Sequence, residues 1–353
     1  MAGGLSLATR ARAADALTTN AGRKMGVALV GLGSYSTGQL GPALRETKLC
    51  RLAGVVTGSP EKGDRWARDY GFPRSCVYNY ETMSQIAGNP AIDIIYVVTP
   101  PGLHAEHTIR AAEAGKHVIC EKPMAVSVAE CDAMIKACRT AGVKLSIGYR
   151  LHFHPLHQEV KRLAREKDFG AFNHMRGQFG FRIGGMAWRL NKKLAGGGPL
   201  MDVGVYVIQS ACMAAGTAPI SAKARELPKT RPELFKEVEE TLEFELEFPD
   251  NVVCEARTSY SESYNRFRAE ARDGWIELEP AFSYSGLRGR THKGPLPESS
   301  INQQAAQMDG FARTILEGGE SVIPGEMGRR DMQIVEAIYE SARTKGRPVD
   351  VAS

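Results

Sequence analysis

Short apolar runs separated by longer amphipathic segments dominate the sequence from Met25 to Gly148. The runs are "VALVGLG", "LAGVVTG", "DIIYVVTPP", "KHVICEKP" and "VKLSIGYR", and helical stretches such as "LHAEHTIRAAEAG" separate them. The third run lacks polar alternation, as expected for a strand that helices cover on both faces. Strands that alternate with helices form a parallel, doubly wound sheet. The pattern therefore predicts a doubly wound α/β domain over residues 25–148.

After residue 148 the pattern becomes that of an antiparallel sheet. A helix is predicted around 156–166, followed by the alternating segments "NHMRGQFGFRI", "ETLEFELEF", "NVVCEARTSYS", "NRFRAEAR" and "GWIELEP", with turn residues between them. Two helices, near 305–317 and 325–344, end the chain. We therefore expect an N-terminal arm at 1–24, the doubly wound domain at 25–148, and a second α/β domain with an open, mostly antiparallel sheet at 149–353.

The composition argues against several classes of protein. The 353 residues carry a formal charge of only +5, and the basic residues are scattered, so we do not expect nucleic-acid binding. The seven cysteines form no C-x-x-C pair, which argues against a disulfide framework and a zinc site, and no metal is expected. No apolar stretch approaches the about eighteen residues of a membrane span, so we expect no membrane partner.

The turn after the first predicted strand reads "GLGSYS" over residues 31–36. This is a form of the G-x-G-x-x-G dinucleotide fingerprint with Ser36 in the last position. Gly31 and Gly33 let the backbone turn tightly and approach a pyrophosphate, whose charge then lies at a helix N-terminus. Alone the motif is weak, and a plain glycine-rich turn is the alternative. Because it follows a strand and opens a helix, we interpret it as a nucleotide site.

The end of the second predicted strand indicates which nucleotide binds. In NAD-binding domains an acid at this point holds the ribose hydroxyls. Here no acid occurs between Leu52 and Pro60, and Thr57, Ser59 and Lys62 offer hydroxyls and an ammonium group to a 2'-phosphate. These residues favour NADP. The alternative is an ordinary helix N-cap at Ser59 with Lys62 in solvent, and both interpretations can hold together.

A lysine stands directly after the predicted strand "HVIC". Ligands bind at the carboxyl ends of the strands in such sheets, which places Lys122 beside the cofactor. Because Pro123 restricts the preceding residue to an extended conformation, Lys122 stays in the exit loop. A surface lysine without a role is the alternative, and the position after a buried strand disfavours it.

The segment "LAGGGPLMDVGVYVIQ", residues 194–209, is the candidate partner of this lysine in the second domain. Its three glycines allow close backbone approach to a ligand. Asp202 and Tyr206 are four residues apart and share one face of a helix. Beside a nicotinamide, the phenol would take the proton of a substrate hydroxyl, the ammonium group would favour the phenolate, and the carboxylate would hold the sugar. The alternative is a glycine loop before a packed helix, with Tyr206 as a core aromatic.

Several segments resemble the family of glucose-fructose oxidoreductase and inositol dehydrogenase. The motifs "GLGSY", "TPPGLHAEHTIRAAEAGKHVICEKPMA", "IGYRLHFHP", "WRLNKKLAGGGPLMDVGVY" and "AIYESARTKGRPV" occur in the family's order from about Arg23 to Val349. The resemblance implies a Rossmann domain with NADP, and a second domain whose open sheet forms a homodimer or homotetramer interface. The family's lysine, acid and base fall on Lys122, Asp202 and Tyr206, and the tyrosine is similar to that of the glucose-fructose branch.

The resemblance also implies further contacts with ligands. The family's Y-R and W-R motifs match Tyr149-Arg150 and Trp188-Arg189, although the two arginines are equally suited to holding loops. The predicted substrate contacts are Lys122, Tyr149, Asp202 and Tyr206. The predicted cofactor contacts are Gly31, Gly33, Ser34, Tyr35, Thr57, Ser59, Lys62, Tyr80, Thr99, Pro100, His104, Glu121, Lys122, Arg150, Trp188 and Arg189.

Together, the residues and the resemblance predict an NADP-dependent sugar oxidoreductase. It would take hydride from C1 of a glucose-like aldose, giving the lactone, and pass the hydride to a second sugar, giving a polyol, with NADP(H) bound throughout. One alternative is an aldose 1-dehydrogenase that releases NADPH at each turnover. The other is a non-catalytic, nucleotide-sensing regulator, which the intact Lys122, Asp202 and Tyr206 disfavour.

The start of the sequence bears on where the protein works. The glucose-fructose branch is exported by a long twin-arginine leader. Residues 1–24 contain "RAR" rather than a twin arginine, and they lack the apolar stretch of such a leader. We therefore expect a cytoplasmic protein, with the periplasm as the alternative.

Overall fold

The first part of the chain forms a six-stranded parallel sheet. The computed structural model describes residues 23–184 and 188–351, so nearly all of the predicted arm at 1–24 lies outside the described residues. The strand order is β3-β2-β1-β4-β5-β6, that of a doubly wound dinucleotide-binding sheet. The strands are β1 (Met25–Val30), β2 (Cys50–Val56), β3 (Val77–Tyr78), β4 (Ile94–Val97), β5 (His117–Cys120) and β6 (Leu145–Ile147).

Because this sheet is buried on both faces, its strands are apolar runs that could be predicted from the sequence. Consecutive residues of its central strand, from Val27 to Val30, are 0% exposed, so neither face of the strand reaches solvent. Five of the six strands coincide with the apolar runs of the sequence. The exception is β3, whose two residues are too few to form a recognisable pattern. The predicted doubly wound sheet is confirmed.

The second sheet has nine strands, in the order β14-β13-β12-β11-β7-β10-β9-β8-β15. Its only parallel pair among the described residues is β7 with β10, so the predicted mostly antiparallel sheet is confirmed. The strands β8, β13, β14 and β15 were not predicted. The strands are β7 (Phe172–Gly180), β8 (Ser221–Glu226), β9 (Thr241–Phe248), β10 (Val252–Ser259), β11 (Tyr264–Ala271), β12 (Gly274–Leu278), β13 (Gly289–Thr291), β14 (Gly294–Pro295) and β15 (Val349–Asp350).

Three α-helices were predicted with bounds, and the observed helices agree with those bounds to within two residues. No helix in the described part of the chain is long and apolar enough to cross a membrane. The seven cysteines are all buried and unpaired, as expected. The helices are α1 (Gly41–Glu46), α2 (Pro60–Tyr70), α3 (His104–Glu113), α4 (Val128–Thr140), α5 (Pro155–Glu166), α6 (Lys192–Ala195), α7 (Val205–Ala215), α8 (Gln303–Glu317) and α9 (Gly325–Arg343).

One face of the second sheet carries a groove of about 840 Å³ that is lined mainly by charged side chains. Arginines and glutamates alternate along the neighbouring strands, among them Arg176, Glu243, Arg257 and Arg268. This is the open face on which the oligomer interface was expected. The interface itself stays a prediction.

A buried carboxylate fixes the start of the segment that leads into α7. Glu239 is only 6% exposed and accepts hydrogen bonds from the Gly198 amide at 2.9 Å and the Leu200 amide at 3.1 Å. The Tyr339 hydroxyl of α9 donates a third hydrogen bond at 2.9 Å. A Cβ at position 198 would lie 2.4 Å from the Glu239 carbonyl oxygen, which explains the glycine there. Three donors on one carboxylate hold this segment against α9.

We expect Glu239→Ala to lower the free energy of unfolding by about 2–4 kcal/mol, because two buried amides and a hydroxyl lose their acceptor. Urea denaturation followed by circular dichroism measures the loss. The matched control is Glu237→Ala, since the exposed Glu237 accepts a single amide, that of Lys192, at 2.9 Å. Its cost should stay below about 1 kcal/mol. Equal costs for the two variants would show that Glu239 has no special structural role.

Candidate active site

The three residues predicted to be catalytic lie together at the carboxyl end of β5. The Lys122 ammonium group donates a hydrogen bond to the Asp202 carbonyl oxygen at 2.6 Å and lies 3.3 Å from its carboxylate oxygen Oδ1. The same Nζ atom lies 4.7 Å from the centroid of the Tyr206 ring. A lysine of the first domain is thus in contact with an acid and a phenol of the second.

The local backbone explains how this meeting arises. Lys122 directly follows the buried strand β5, so its side chain leaves the sheet edge toward the second domain. Asp202 lies in a π-helical turn, Leu200–Gly204, that continues into α7, where Tyr206 is the second residue. The sequence predicted a shared helical face but not the π-helical turn. Such turns are frequent at functional sites.

Asp202 is held by two cations and a phenol. Its Oδ2 atom accepts hydrogen bonds from Arg189 Nε at 2.7 Å and from the Tyr260 hydroxyl at 3.1 Å, opposite the contact with Lys122. Burial raises the pKa of Asp202, but the charges of Lys122 and Arg189 outweigh burial and hold that pKa well below its usual range. Asp202 therefore stays ionised at neutral pH, and it orients the lysine rather than accepting a proton.

The W-R motif lies at the edge of this cluster. The predicted cofactor contact Arg189 forms an ion pair with Asp202, and its guanidinium carbon lies 4.7 Å from the Trp188 ring centroid. Arg189 is half-buried. The structure thus gives Arg189 a second possible role, that of anchoring the carboxylate.

Arg150 is buried, with only 1% of its surface exposed. Its guanidinium donates to the carbonyl oxygens of Phe282 at 2.6 Å and Ser283 at 3.0 Å, and to the side-chain oxygen of Gln303. Its guanidinium carbon lies 5.0 Å from the Tyr206 ring centroid and 4.5 Å from that of Tyr284. Arg150 thus holds a loop of the second domain, which was one of its two predicted roles.

The glycine turn after β1 fits the pyrophosphate of a dinucleotide. Gly31 has a φ of +97°, and a Cβ there would lie 3.1 Å from the Val98 carbonyl oxygen, so only glycine is accommodated without strain. A Cβ at Gly33 would meet no atom within 4 Å, so the backbone there is open to a ligand. The Ser36 hydroxyl donates to the Gly31 carbonyl oxygen at 2.6 Å and closes the turn.

The residues after β2 lie next to the glycine turn. Ser59 caps α2 by accepting a hydrogen bond from the Lys62 amide, as the alternative interpretation had it. The Lys62 ammonium group is not free in solvent, because it donates to the Leu32 carbonyl oxygen at 3.2 Å. The Thr57 hydroxyl accepts from the Ser59 amide at 3.2 Å and is largely buried. Ser59 and Lys62 therefore border the glycine turn from the β2 side.

The other predicted cofactor contacts in the first domain fall into two groups. Ser34 and Tyr35 follow the glycine turn, and Ser34 is exposed. Thr99, Pro100 and His104 follow β4, and the Tyr80 ring lies beside them, stacked at 5.3 Å on His107. Both groups follow the carboxyl ends of strands of the parallel sheet. Their contact with a cofactor stays a prediction.

Two of the predicted contacts serve the protein interior. The ring nitrogens of His104 contact the Thr99 carbonyl oxygen at 2.7 Å and the Pro123 carbonyl oxygen at 2.9 Å, which joins the loops after β4 and β5. Burial lowers the pKa of His104 to about 4. Glu121 accepts from the Tyr96 hydroxyl at 2.7 Å inside the sheet edge, and burial raises its pKa. Both residues hold the loop that presents Lys122.

The contacts of Tyr149 are with other residues, and two residues near the site were missed. Tyr149 is buried beside His152, and burial, followed by the charge of Asp331, raises the pKa of its phenol. Tyr260 and Tyr284 were not predicted. Tyr260 closes the Asp202 pair, and the Tyr284 ring lies 5.7 Å from that of Tyr35 across the two domains. Tyr284 stands in loop-like sequence without periodicity. Tyr260 lies at the end of a predicted alternating segment, whose pattern does not show which residue its side chain contacts.

Family models match both domains of the chain. Residues 25–149 match the Gfo/Idh/MocA oxidoreductase family with its NAD-binding Rossmann fold, and residues 157–277 match the Gfo/Idh/MocA C-terminal domain. The first match agrees with the glycine turn and strand order described above. The first match spans the parallel sheet, and the second covers β7 to β11 and nearly all of β12 in the second sheet.

Comparison with known proteins agrees with these matches. The crystal structure of aldose-aldose oxidoreductase from Caulobacter crescentus is 42% identical, with a TM-score of 0.90, over 93% of this chain and all of that one. The D-xylose 1-dehydrogenase [NADP(+)] of Haloarcula marismortui is 28% identical over 90% of this chain and 91% of its own length. A levoglucosan dehydrogenase structure, at 23% identity and a TM-score of 0.79, shares the fold. The chain therefore belongs to the Gfo/Idh/MocA family of oxidoreductases.

Proposed function

We propose that the protein is an NADP-dependent sugar oxidoreductase that oxidises an aldose at C1 and passes the hydride to a second sugar. The observation that carries this proposal is the contact of Lys122 with Asp202 and Tyr206 at the carboxyl edge of the parallel sheet. Ligands of doubly wound sheets bind at this edge. A phenol beside an ammonium group is suited to exchange a proton with a sugar hydroxyl.

In the first half-reaction the phenolate of Tyr206 accepts the proton of the C1 hydroxyl. The C1 hydrogen leaves as hydride, and the carbonyl group of the lactone forms. The Lys122 ammonium group, 4.7 Å from the ring, stabilises the negative charge of the phenolate before transfer. Asp202 keeps the ammonium group in place. In the second half-reaction the Tyr206 phenol returns the proton to the carbonyl oxygen of the acceptor sugar, and the polyol forms.

The chain's own residues would hold the cofactor on the nucleotide side of the sheet. Bound NADP supplies the acceptor and donor of hydride. Gly31 and Gly33 would lie against its pyrophosphate, and Ser59 and Lys62 against its 2'-phosphate, since no acid occupies the end of β2. NADP is also the cofactor after which two similar D-xylose 1-dehydrogenases are named.

Two observations bear on whether the hydride goes to a second sugar. The similarity at 42% identity to an aldose-aldose oxidoreductase, over the full length of that chain, favours transfer between sugars. The similarity to xylose 1-dehydrogenases favours the second candidate, a dehydrogenase that releases NADPH. The first is the more extensive likeness. Sugar-to-sugar transfer requires NADP(H) to stay bound, which gives ping-pong kinetics.

Incubation of the protein with NADP and a panel of aldoses, with lactone and alditol measured as products, tests the enzymatic proposal. We expect lactone from at least one glucose-like aldose. A protein that binds the nucleotide but forms neither product from any sugar is a nucleotide sensor, and both enzymatic functions would then be wrong.

Replacement of the base or of its cation should abolish most of the turnover. We expect Tyr206→Phe and Lys122→Ala each to lower kcat by at least about a hundredfold, because the first removes the proton acceptor and the second its electrostatic support. Binding of NADP should persist, as measured by fluorescence titration. Tyr70→Phe, in a tyrosine stacked on Trp66 of α2, is the control and should keep normal turnover. Near-normal kcat in Tyr206→Phe would show that another group is the base.

Cofactor preference should depend on the ammonium group beside the glycine turn. We expect the wild type to bind NADP more tightly than NAD, and Lys62→Gln to weaken NADP by about tenfold or more, through the loss of a charge-assisted hydrogen bond to the 2'-phosphate. Affinity for NAD should change by less than about threefold. Arg65→Gln, an exposed arginine of the same helix, is the matched control. Equal affinity of the wild type for NAD and NADP would contradict the assignment.

A further inference from the structure

A buried arginine without an acidic partner lies against the proposed base. Arg150 is 1% exposed, and its hydrogen bonds involve neutral oxygen atoms, those of Phe282, Ser283 and Gln303 together with the phenol of Tyr206. It forms no ion pair with any residue that the structure describes. Its Nε atom is buried and has no acceptor. The guanidinium therefore carries a positive charge that no carboxylate of the described chain neutralises by contact.

Glu121 is a carboxylate whose pKa is affected by the charge of Arg150, but its hydrogen bonds are made with other groups. The guanidinium is among the charges that oppose the effect of burial on its pKa. Its own hydrogen bonds come from the Tyr96 hydroxyl and the Lys122 amide. Glu121 is thus turned toward the sheet edge. The anion that Arg150 faces must come from another group.

Phenol rings surround the guanidinium instead. The Tyr206 and Tyr284 ring centroids lie 5.0 and 4.5 Å from its central carbon, and the Tyr35 ring contacts that of Tyr284. The Tyr206 ring also lies 4.7 Å from Lys122 Nζ. The titratable and charged groups that face Tyr206 from the elements around it are Lys122, Asp202, Arg150, Tyr35 and Tyr284, with Glu121, Arg189 and Tyr260 behind them.

A buried charge is unfavourable unless an opposite charge or a set of dipoles compensates it. Three carbonyl-type oxygens compensate Arg150 in part. Of its phenol neighbours, Tyr206 is the one that also lies against a second cation, so the positive charges of Arg150 and Lys122 both face its ring. A cation that is fixed before the reaction costs no reorganisation when the charge forms.

We infer that Arg150 is a positioning residue that supplies a second positive charge to Tyr206, so that the phenolate needed for proton transfer is stabilised by Arg150 and Lys122 together. The inference rests on the proposed function, in which Tyr206 is the base. It differs from the predicted role of Arg150 as a contact of cofactor or sugar, since the side chain is buried. This role also goes beyond that of a loop anchor, because an anchor would only hold the backbone at Phe282 and Ser283.

The test replaces Tyr206 by 3-fluorotyrosine and follows its ionisation by 19F NMR as the pH is raised. We expect Arg150→Gln to raise the midpoint by at least about one pH unit, because a nearby positive charge is lost. Gln303→Glu is a second, nearly isosteric variant. This variant leaves Arg150 in place. The new side chain still offers Arg150 an oxygen acceptor but is a carboxylate, so the midpoint of Tyr206 ionisation should also rise. Arg45→Gln, which removes an arginine 4.7 Å from the Tyr70 ring, is the control and should leave the midpoint unchanged.

The outcomes separate this inference from the proposed function, since ionisation is measured without a substrate. A midpoint that moves by less than about 0.3 pH units in Gln303→Glu, or in a folded Arg150→Gln, overturns the inference and leaves Arg150 as a loop anchor.

In active enzyme, the pH below which kcat/KM falls should rise in the same variants. Arg150→Gln should lower kcat/KM much less in the Tyr206→Phe background than in the wild type. Equal losses in the two backgrounds would also overturn it.

Discussion

The carboxylate of Asp202, held between two cations, is the interaction on which the rest of the site depends. It binds Lys122 from the first domain and Arg189 and Tyr260 from the second, so one side chain fixes the relative position of the two halves of the site. Charge keeps Asp202 ionised despite its burial. The same pairing keeps Lys122 pointed at the Tyr206 ring. Without the carboxylate, Lys122 and Arg189 would lose the negative charge that they share, next to the point where a proton has to move.

Elements of both domains hold the residues of this interaction in place. The parallel sheet ends β5 at Lys122, and the buried residues His104 and Glu121 hold the exit loop against its neighbours. From the other side, Glu239 fixes the backbone at Gly198 and Leu200, just before the π-helical turn that carries Asp202. The loop that presents Lys122 and the segment that carries Asp202 are therefore each held by buried hydrogen bonds. Such support determines how well a catalytic geometry is maintained.

Sequence reasoning located the residues that stand next to regular structure. Gly31, Gly33 and Lys122 follow buried strands, and the carboxyl ends of parallel strands meet at one edge, so their neighbourhood was predictable. It could not place Arg150 against the Tyr206 ring. Nor could it place Tyr260 against Asp202 or Tyr284 against Arg150, because these contacts join residues from distant parts of the chain. The same limit applies to β3 and β13–β15, which are too short for a periodic pattern.

The central claim is that one bound nucleotide carries hydride between two sugars over the Lys122–Tyr206 pair. The most direct measurement uses protein purified without added nucleotide, glucose deuterated at C1, and a second, unlabelled sugar. The account predicts near-stoichiometric NADP(H) released on denaturation, lactone and polyol in equal amounts, and deuterium in the polyol that added free NADPH does not dilute. If the protein is instead purified without nucleotide and the deuterium appears in free NADPH, with one NADP consumed per lactone, the enzyme is a simple dehydrogenase and the claim is wrong.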